Sequence, residues 1–189
     1  MEKRFLFVIV ILMIILQTGC GKKVSEVDLG NLQNVNGDYQ YKNISWGSAM
    51  ADVEKVLGVS FGQADHETEQ GTTYIVQGAY AKDGIPAVLT CEFDLAGKCK
   101  LVGFRFKPGA ESAQAFWENL IKELSSQYGD AAPEIHESVV ELTQTAIRNE
   151  VYLWEKNLTI HTVLSATKIS MDDTISGIEV NVYLVPEGR

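Results

Sequence analysis

Histidine, cysteine and proline are scarce in this chain of 189 residues, which contains three, three and four of them. His66, His136 and His161 each lack a second histidine or a cysteine at metal-ligand spacing, so the sequence predicts no metal site. Motifs for a nucleophilic serine, a phosphate-binding glycine loop and a zinc-protease helix are also missing. We therefore predict no catalytic residue, no cofactor-binding residue and no enzymatic activity.

Basic residues are outnumbered, with 16 Lys and Arg against 25 Asp and Glu, which gives a net charge of −9. Proteins that bind nucleic acid neutralise phosphates with Lys and Arg, so this balance argues against a nucleic-acid partner. It also disfavours electrostatic adhesion to anionic lipid, because clusters of basic residues supply that attraction. Any contact with a membrane is therefore expected to need an anchor.

The longest apolar run lies at the start of the chain, over residues 5–16, directly after the charged residues 2–4. A spanning helix needs roughly 20 apolar residues, and this run has about a dozen. A charged start, a short apolar region and small residues before a cleavage point are typical of a secretory signal peptide. We predict that residues 1–19 are such a signal and are removed.

Gly19 and Cys20, which follow the apolar run, resemble the lipobox of bacterial lipoprotein signal peptides. The resemblance implies that Cys20 carries the lipid, becomes the mature N-terminus and anchors the chain outside the cytoplasm. The membrane would be the cell membrane or the outer membrane. Diacylation with palmitate-like chains would suffice for stable anchoring, since two chains are needed. The alternatives are an ordinary cleaved signal peptide and an uncleaved membrane anchor.

The mature chain is predicted to begin with a flexible tether over residues 20–43, which are polar and lack sustained periodicity. A strand near Tyr39 and Tyr41 is the alternative for the end of this stretch. Two units, 44–108 and 109–189, follow and are expected to form one compact domain together.

The first unit is predicted to be a helix followed by three strands. Ser48 is the expected N-cap of the helix, and Gly58 is expected to end it. The strands are predicted over residues 72–80, 85–93 and 99–107. A turn at residues 94–97 is expected to join the last two strands.

The second unit begins with a strong helix predicted over residues 110–128, because apolar side chains recur there at three- and four-residue spacing. Four strands and one polar loop follow: strands over residues 138–145, 150–156, 159–166 and 177–185, and the loop over residues 168–176. The order of elements predicts an α+β fold in which helices pack on one face of antiparallel sheet. The two helix-plus-meander units would then stand in tandem.

Cys91 and Cys99 are the two cysteines left beside Cys20, and an extracytoplasmic compartment permits a disulfide between them. If Phe93 faces Cys99 across the hairpin, both cysteines lie on one face. Strict alternation with Val102 instead directs Cys99 to the other face. A bulge near Lys100 would reconcile the two patterns. A disulfide and two free buried thiols both remain open.

Two motifs resemble the small lipoprotein domains of the SmpA/OmlA (BamE) type. The first covers residues 44–58, where Gly47 precedes the predicted helix and Gly58 closes it. The second is the Phe-Asp-x-x-Gly-Lys sequence of the hairpin at residues 93–98. The repeated order of helix then meander is similar to the β-lactamase inhibitor protein fold. These resemblances imply a binding module whose partner is another cell-envelope protein, in an assembly or inhibitory role. The alternative is a lipoprotein that binds a small ligand or a cell-wall fragment.

Overall fold

The computed structural model describes residues 24–186, which form two helices and nine strands. The helices are α1 (Met50–Leu57) and α2 (Ala110–Tyr128). The strands are β1 (Ser25–Glu26), β2 (His66–Thr68), β3 (Gly71–Lys82), β4 (Ile85–Phe93), β5 (Cys99–Phe106), β6 (Pro133–Val140), β7 (Thr145–Asn157), β8 (His161–Met171) and β9 (Thr174–Leu184). The predictions for residues 1–19 and Cys20 lie outside the described residues.

The strands form one sheet in the order β1-β3-β4-β5-β9-β8-β7-β6, and β2 pairs with β3 beside this path. Every neighbouring pair is antiparallel except β1 with β3. The predicted mixed α+β class, with a mostly antiparallel sheet, is therefore confirmed. A single sheet results because β9 pairs with β5 and so joins the strands of the two halves of the chain.

The segment before α1 is packed into the core, so the prediction of a flexible tether is wrong for residues 24–43. Its buried apolar side chains are Val27, Leu29, Leu32, Tyr39 and Tyr41. The Tyr128 hydroxyl of α2 donates to the Leu29 carbonyl at 2.6 Å and accepts from the Leu32 N–H at 2.9 Å. These apolar residues are spaced irregularly among polar ones, so the sequence has no helical or strand periodicity there from which their burial could be predicted.

This N-terminal segment lies across the middle of the sheet. The Tyr41 ring packs edge-on against Phe104 of β5, with ring centres 4.9 Å apart. Tyr39 packs in the same manner against Tyr128, at 5.6 Å. The Trp46 indole N–H donates to the Tyr39 carbonyl at 2.8 Å. The segment therefore links β5 to the end of α2.

Helix α2 begins and ends where its apolar stripe predicts. Phe116 packs against Phe106 of β5, and Trp117 packs against Tyr152 of β7, with ring centres 5.3 and 5.7 Å apart. The buried side chains of the helix are Ala113, Phe116, Trp117, Leu120 and Leu124. Of residues 24–186, neither helix is long and apolar enough to cross a membrane.

Helix α1 ends at Gly58 as predicted, with the glycine in the left-handed conformation (φ 68°). It begins one residue later than expected. Ala49 occupies the N-cap position without a side-chain hydrogen bond, so the prediction of Ser48 as the cap is wrong. The Ser48 backbone instead pairs with β5, because its carbonyl accepts from the Cys99 N–H at 2.9 Å.

Strand bounds are correct for β4 and less accurate in the second half. Strand β6 occupies Pro133–Val140, whereas the sequence predicted residues 138–145. The loop predicted over residues 168–176 is instead the end of β8 and the start of β9. Asp172 and Asp173 form the two-residue turn between them, both with positive φ (46° and 63°), a conformation typical of tight hairpins.

The two cysteines of the described chain lie on neighbouring strands of the same hairpin. Cys91 pairs with Val102 and Cys99 with Phe93, which leaves Lys100 unpaired and confirms the predicted bulge. Both thiols are buried and free, the second of the two arrangements left open by the sequence. Burial raises the pKa of both thiols, that of Cys99 to about 12, so both are protonated at neutral pH.

Candidate functional site

The two faces of the sheet differ in burial. Residues opposite each other in antiparallel strands share a face, and Leu89, Phe104 and Val180 are such a set and are buried. The alternate residues of these strands lie on the other face, which we call the open face. Its members in β4, β5 and β9 include Thr90, Gly103 and Asn181, which also stand opposite one another.

The half of the open face on β7, β8 and β9 carries six apolar side chains among polar ones such as Asn149, Ser165 and Thr167. We call these apolar side chains the apolar patch: Ile147, Val151, Leu153, Val163, Ile169 and Tyr183. Val163 is buried and the other five are partly exposed. An apolar surface of neighbouring side chains on one sheet face is the kind of feature that marks binding sites.

The other half of the open face holds a cavity of about 330 Å³. Its lining includes Thr73, Thr90, Glu92, Leu101, Arg105 and Asn181. Gly103 of β5 lies between Thr90 of β4 and Asn181 of β9. A Cβ there would stand 1.9 Å from Asn181 Oδ1, so only glycine lets the Asn181 side chain lie against β5.

Two partly exposed ion pairs flank the cavity. The Arg105 Nε donates to Glu179 Oε1 at 2.6 Å, and Lys100 Nζ lies 3.5 Å from Glu92 Oε2. The Arg105 side chain is 52 % exposed. Exposed pairs of this kind contribute only about 0–1 kcal/mol. A bound partner or ligand could therefore replace either pairing at little cost.

A second cluster connects α2 to the sheet. Lys168 Nζ lies 2.7 Å from Glu150 Oε2 and 5.5 Å from the centre of the Trp117 ring. Burial on its own would raise the pKa of Glu150, but the hydrogen bond and charge of Lys168 lower it below its ordinary value. Every polar group of the cluster has a partner within it, which suits a role in packing α2 onto β7 and β8.

The residues singled out in the sequence do not meet at one site. His66 lies in β2, His136 in β6 beside Glu134, and His161 at the start of β8 beside Glu155. Within residues 24–186, no group of three or more His, Cys, Asp or Glu side chains could hold a metal ion. Cys91 and Cys99 lie in the buried core.

Sequence reasoning missed the open face. One signal was present, since an isolated glycine inside a strand pattern, such as Gly103, indicates a close approach. The approach itself required knowing that β5 pairs with β9.

No protein-family model matches this chain, and neither the curated proteins nor the solved structures include a match. The resemblances to lipoprotein domains therefore stay predictions.

Proposed function

We propose that this chain is a lipid-anchored lipoprotein of the cell envelope that binds a partner protein through the open face and catalyses no reaction. The observation that carries the proposal is the asymmetry of the sheet. One face is buried in the core, and the other presents the apolar patch beside a cavity whose lining combines apolar side chains with the polar groups of Thr90, Arg105 and Asn181. Aromatic residues and Arg are enriched at protein interfaces, and Tyr183 and Arg105 lie on this face.

We also propose that α1 and α2 both cover the buried face, as in two helix-plus-meander units in tandem. Tyr80 and Phe106 both pair with Ala87 and therefore share a face. The Tyr80 hydroxyl donates to the Leu57 carbonyl of α1 at 2.6 Å, and the Phe106 ring packs against Phe116 of α2. With both helices on the buried face, the open face stays free to bind a partner, as an assembly or inhibitory module requires.

The anchor is tested at Cys20. We expect Cys20→Ser to move the protein from the membrane fraction to the soluble fraction, because the signal no longer has a thiol at the position that carries the lipid. Gln17→Leu is the matched control in the same signal. It supplies the aliphatic residue that lipoboxes usually have and should keep the protein membrane-bound. A Cys20→Ser protein that stays in the membrane with an unchanged N-terminus would show an uncleaved anchor instead.

The open face is tested at Leu153, in the apolar patch. We expect Leu153→Asp to reduce recovery of a crosslinked envelope protein at least ~10-fold, equivalent to about 1.4 kcal/mol, because a carboxylate would be desolvated in the interface. The readout is copurification from crosslinked native membranes. Leu95→Asp is the matched control, since Leu95 is 76 % exposed in the turn between β4 and β5. Equal recovery with both variants would contradict the proposal.

A second candidate function is binding of a small ligand or a cell-wall fragment. The cavity favours it, because Thr90, Arg105 and Asn181 place hydroxyl, guanidinium and amide groups around one space. Gly103→Ala separates the two functions when protein capture and cell-wall-fragment binding are both measured, because its added methyl group would clash with Asn181, which lines the cavity, and force that side chain to move. Gly177→Ala is the control, because Gly177 has open space around it on the same strand as Asn181. Loss of soluble cell-wall-fragment binding in Gly103→Ala, with protein capture unchanged, would favour the ligand function.

A further inference from the structure

The fold leaves almost no free chain between the predicted lipid site and the sheet. The described structure begins at Val24 and strand β1 at Ser25, so only residues 21–23 separate Cys20 from the described structure. The four residue steps from Cys20 to Val24 extend at most about 14 Å. A domain held in this way cannot stand away from the bilayer on a long linker.

The point of attachment is fixed to one edge of the sheet. Ser25 pairs with Tyr80 of β3, and the Val27 N–H donates to the Ala81 carbonyl at 2.7 Å. The Glu26 carboxylate accepts from the Asp83 N–H at 2.9 Å. Strand β1 is therefore tied to β3 from its first residue, and the chain then enters the core at Val27. No slack remains at this edge.

The opposite edge of the sheet lies far from this point. Strand β6 ends the sheet on the other side, six strand spacings from β3. At about 4.8 Å for each spacing, β3 and β6 are roughly 29 Å apart. This separation is about twice the reach of the chain between Cys20 and Val24.

We propose that the domain stands on the bilayer by its β1–β3 edge, in contact with phospholipid headgroups, and that β6 points away from the membrane. The proposal rests on the lipid anchor proposed for Cys20. Lys22 and Lys23 lie between the anchor and β1, and each basic residue near an anionic surface contributes about 1 kcal/mol. Exposed carboxylates on the same edge, Glu26 and Asp83 among them, oppose this attraction, so the short tether and not the charge sets the proposed orientation.

This orientation restricts where the partner protein can be located. The open face would stand roughly perpendicular to the membrane, and every part of it would lie within the height of this one domain above the bilayer surface. A protein that binds there must be embedded in the same membrane or attached close to its surface.

The test measures energy transfer from a fluorophore on the protein to acceptor-labelled lipid. Gln77→Cys places the fluorophore on β3, and Ser138→Cys places it on β6; both positions are exposed. The native thiols of Cys91 and Cys99 are buried and will not compete for the label. The full-length lipidated protein is reconstituted in vesicles of phosphatidylethanolamine and phosphatidylglycerol. We expect several-fold more efficient transfer from position 77 than from position 138.

A flexible insertion provides the control. A Gly/Ser segment of about twenty residues after Gly21 has an r.m.s. length of roughly 25 Å and should remove the difference between the two positions. Equal transfer from both positions in the native chain, or more from position 138, would overturn the proposed orientation while leaving the anchor in place. A protein that lacks the acyl mass and does not sediment with the vesicles would overturn the anchor, and the orientation with it.

Discussion

A chain that begins at Asn43, without the N-terminal segment, does not fold into a stable domain. This result is expected because the segment supplies five apolar side chains that are at most 1 % exposed: Val27, Leu29, Leu32, Tyr39 and Tyr41. Full burial of one large apolar side chain is worth about 1.5–3 kcal/mol. The three aliphatic side chains together contribute about 5–9 kcal/mol, which is comparable with the whole stability of a typical domain, about 5–15 kcal/mol. The two tyrosines add less than their ring area suggests, because their hydroxyls are buried without a hydrogen-bond partner among residues 24–186.

Deleting the N-terminal segment also removes stabilising contacts from the residues that it covers. Phe104 is 3 % exposed beneath Tyr41, and the Tyr128 hydroxyl would lose both of its backbone partners in the segment. Deleting the segment therefore exposes apolar surface on the sheet as well as removing its own. We therefore expect residues 44–189 to need the N-terminal segment to form the compact domain.

Circular dichroism and thermal melting measure this effect directly. The matched control is a chain that begins at Val24, which lacks the lipid site but retains every described residue. It should melt cooperatively, whereas the chain from Asn43 should show no cooperative transition at 25 °C or above. Equal melting temperatures for the two chains would mean that the domain folds without the N-terminal segment and that the segment does not contribute to its stability.

Local signals account for the parts of the fold that the sequence predicted well. The bounds of α2 follow from an apolar stripe with Gly109 before it and Gly129 after it. The turn between β4 and β5 follows from Asp94, which accepts backbone hydrogen bonds, and from Gly97, whose φ of 70° disfavours other residues. In each case the residues that determine the structure are within a few positions of it.

The parts that could not be predicted depend on contacts between distant residues. The N-terminal segment is held by Tyr128, which lies almost a hundred residues further along the chain. Strand β6 is exposed at every position, so it has no alternation of apolar and polar residues to reveal its bounds. Its pairing with β7 determines them instead.

The candidate site was hidden for a related reason. Alternation in β9 correctly indicates that Ile178, Val180 and Val182 face the core. It does not tell whether the second face is covered, because that depends on where the helices and the N-terminal segment pack. The cavity requires Asn181 beside Gly103, and the pairing of β9 with β5 creates this contact between two residues far apart in sequence.

Phe116→Ala is expected to lower the free energy of unfolding by roughly 3–5 kcal/mol, the range observed when a large core side chain is truncated. Phe116 is 7 % exposed and packs against Phe106, which is fully buried. The contact joins α2 of the second half to β5 of the first. The helix cannot easily collapse into the space, since Trp117 and Leu120 beside Phe116 are also buried.

Urea unfolding followed by fluorescence measures this difference, with Glu118→Ala as the control on the exposed side of the same helix. That control should change the free energy by less than about 0.5 kcal/mol, because surface substitutions to a good helix former disturb little. Both variants should unfold in one transition, since one core cluster contains side chains from both halves. An unfolding curve for Phe116→Ala that matches the native protein would show that this aromatic face of α2 is free. The stripe of Phe116, Trp117 and Tyr128 would then be a candidate ligand platform instead of core.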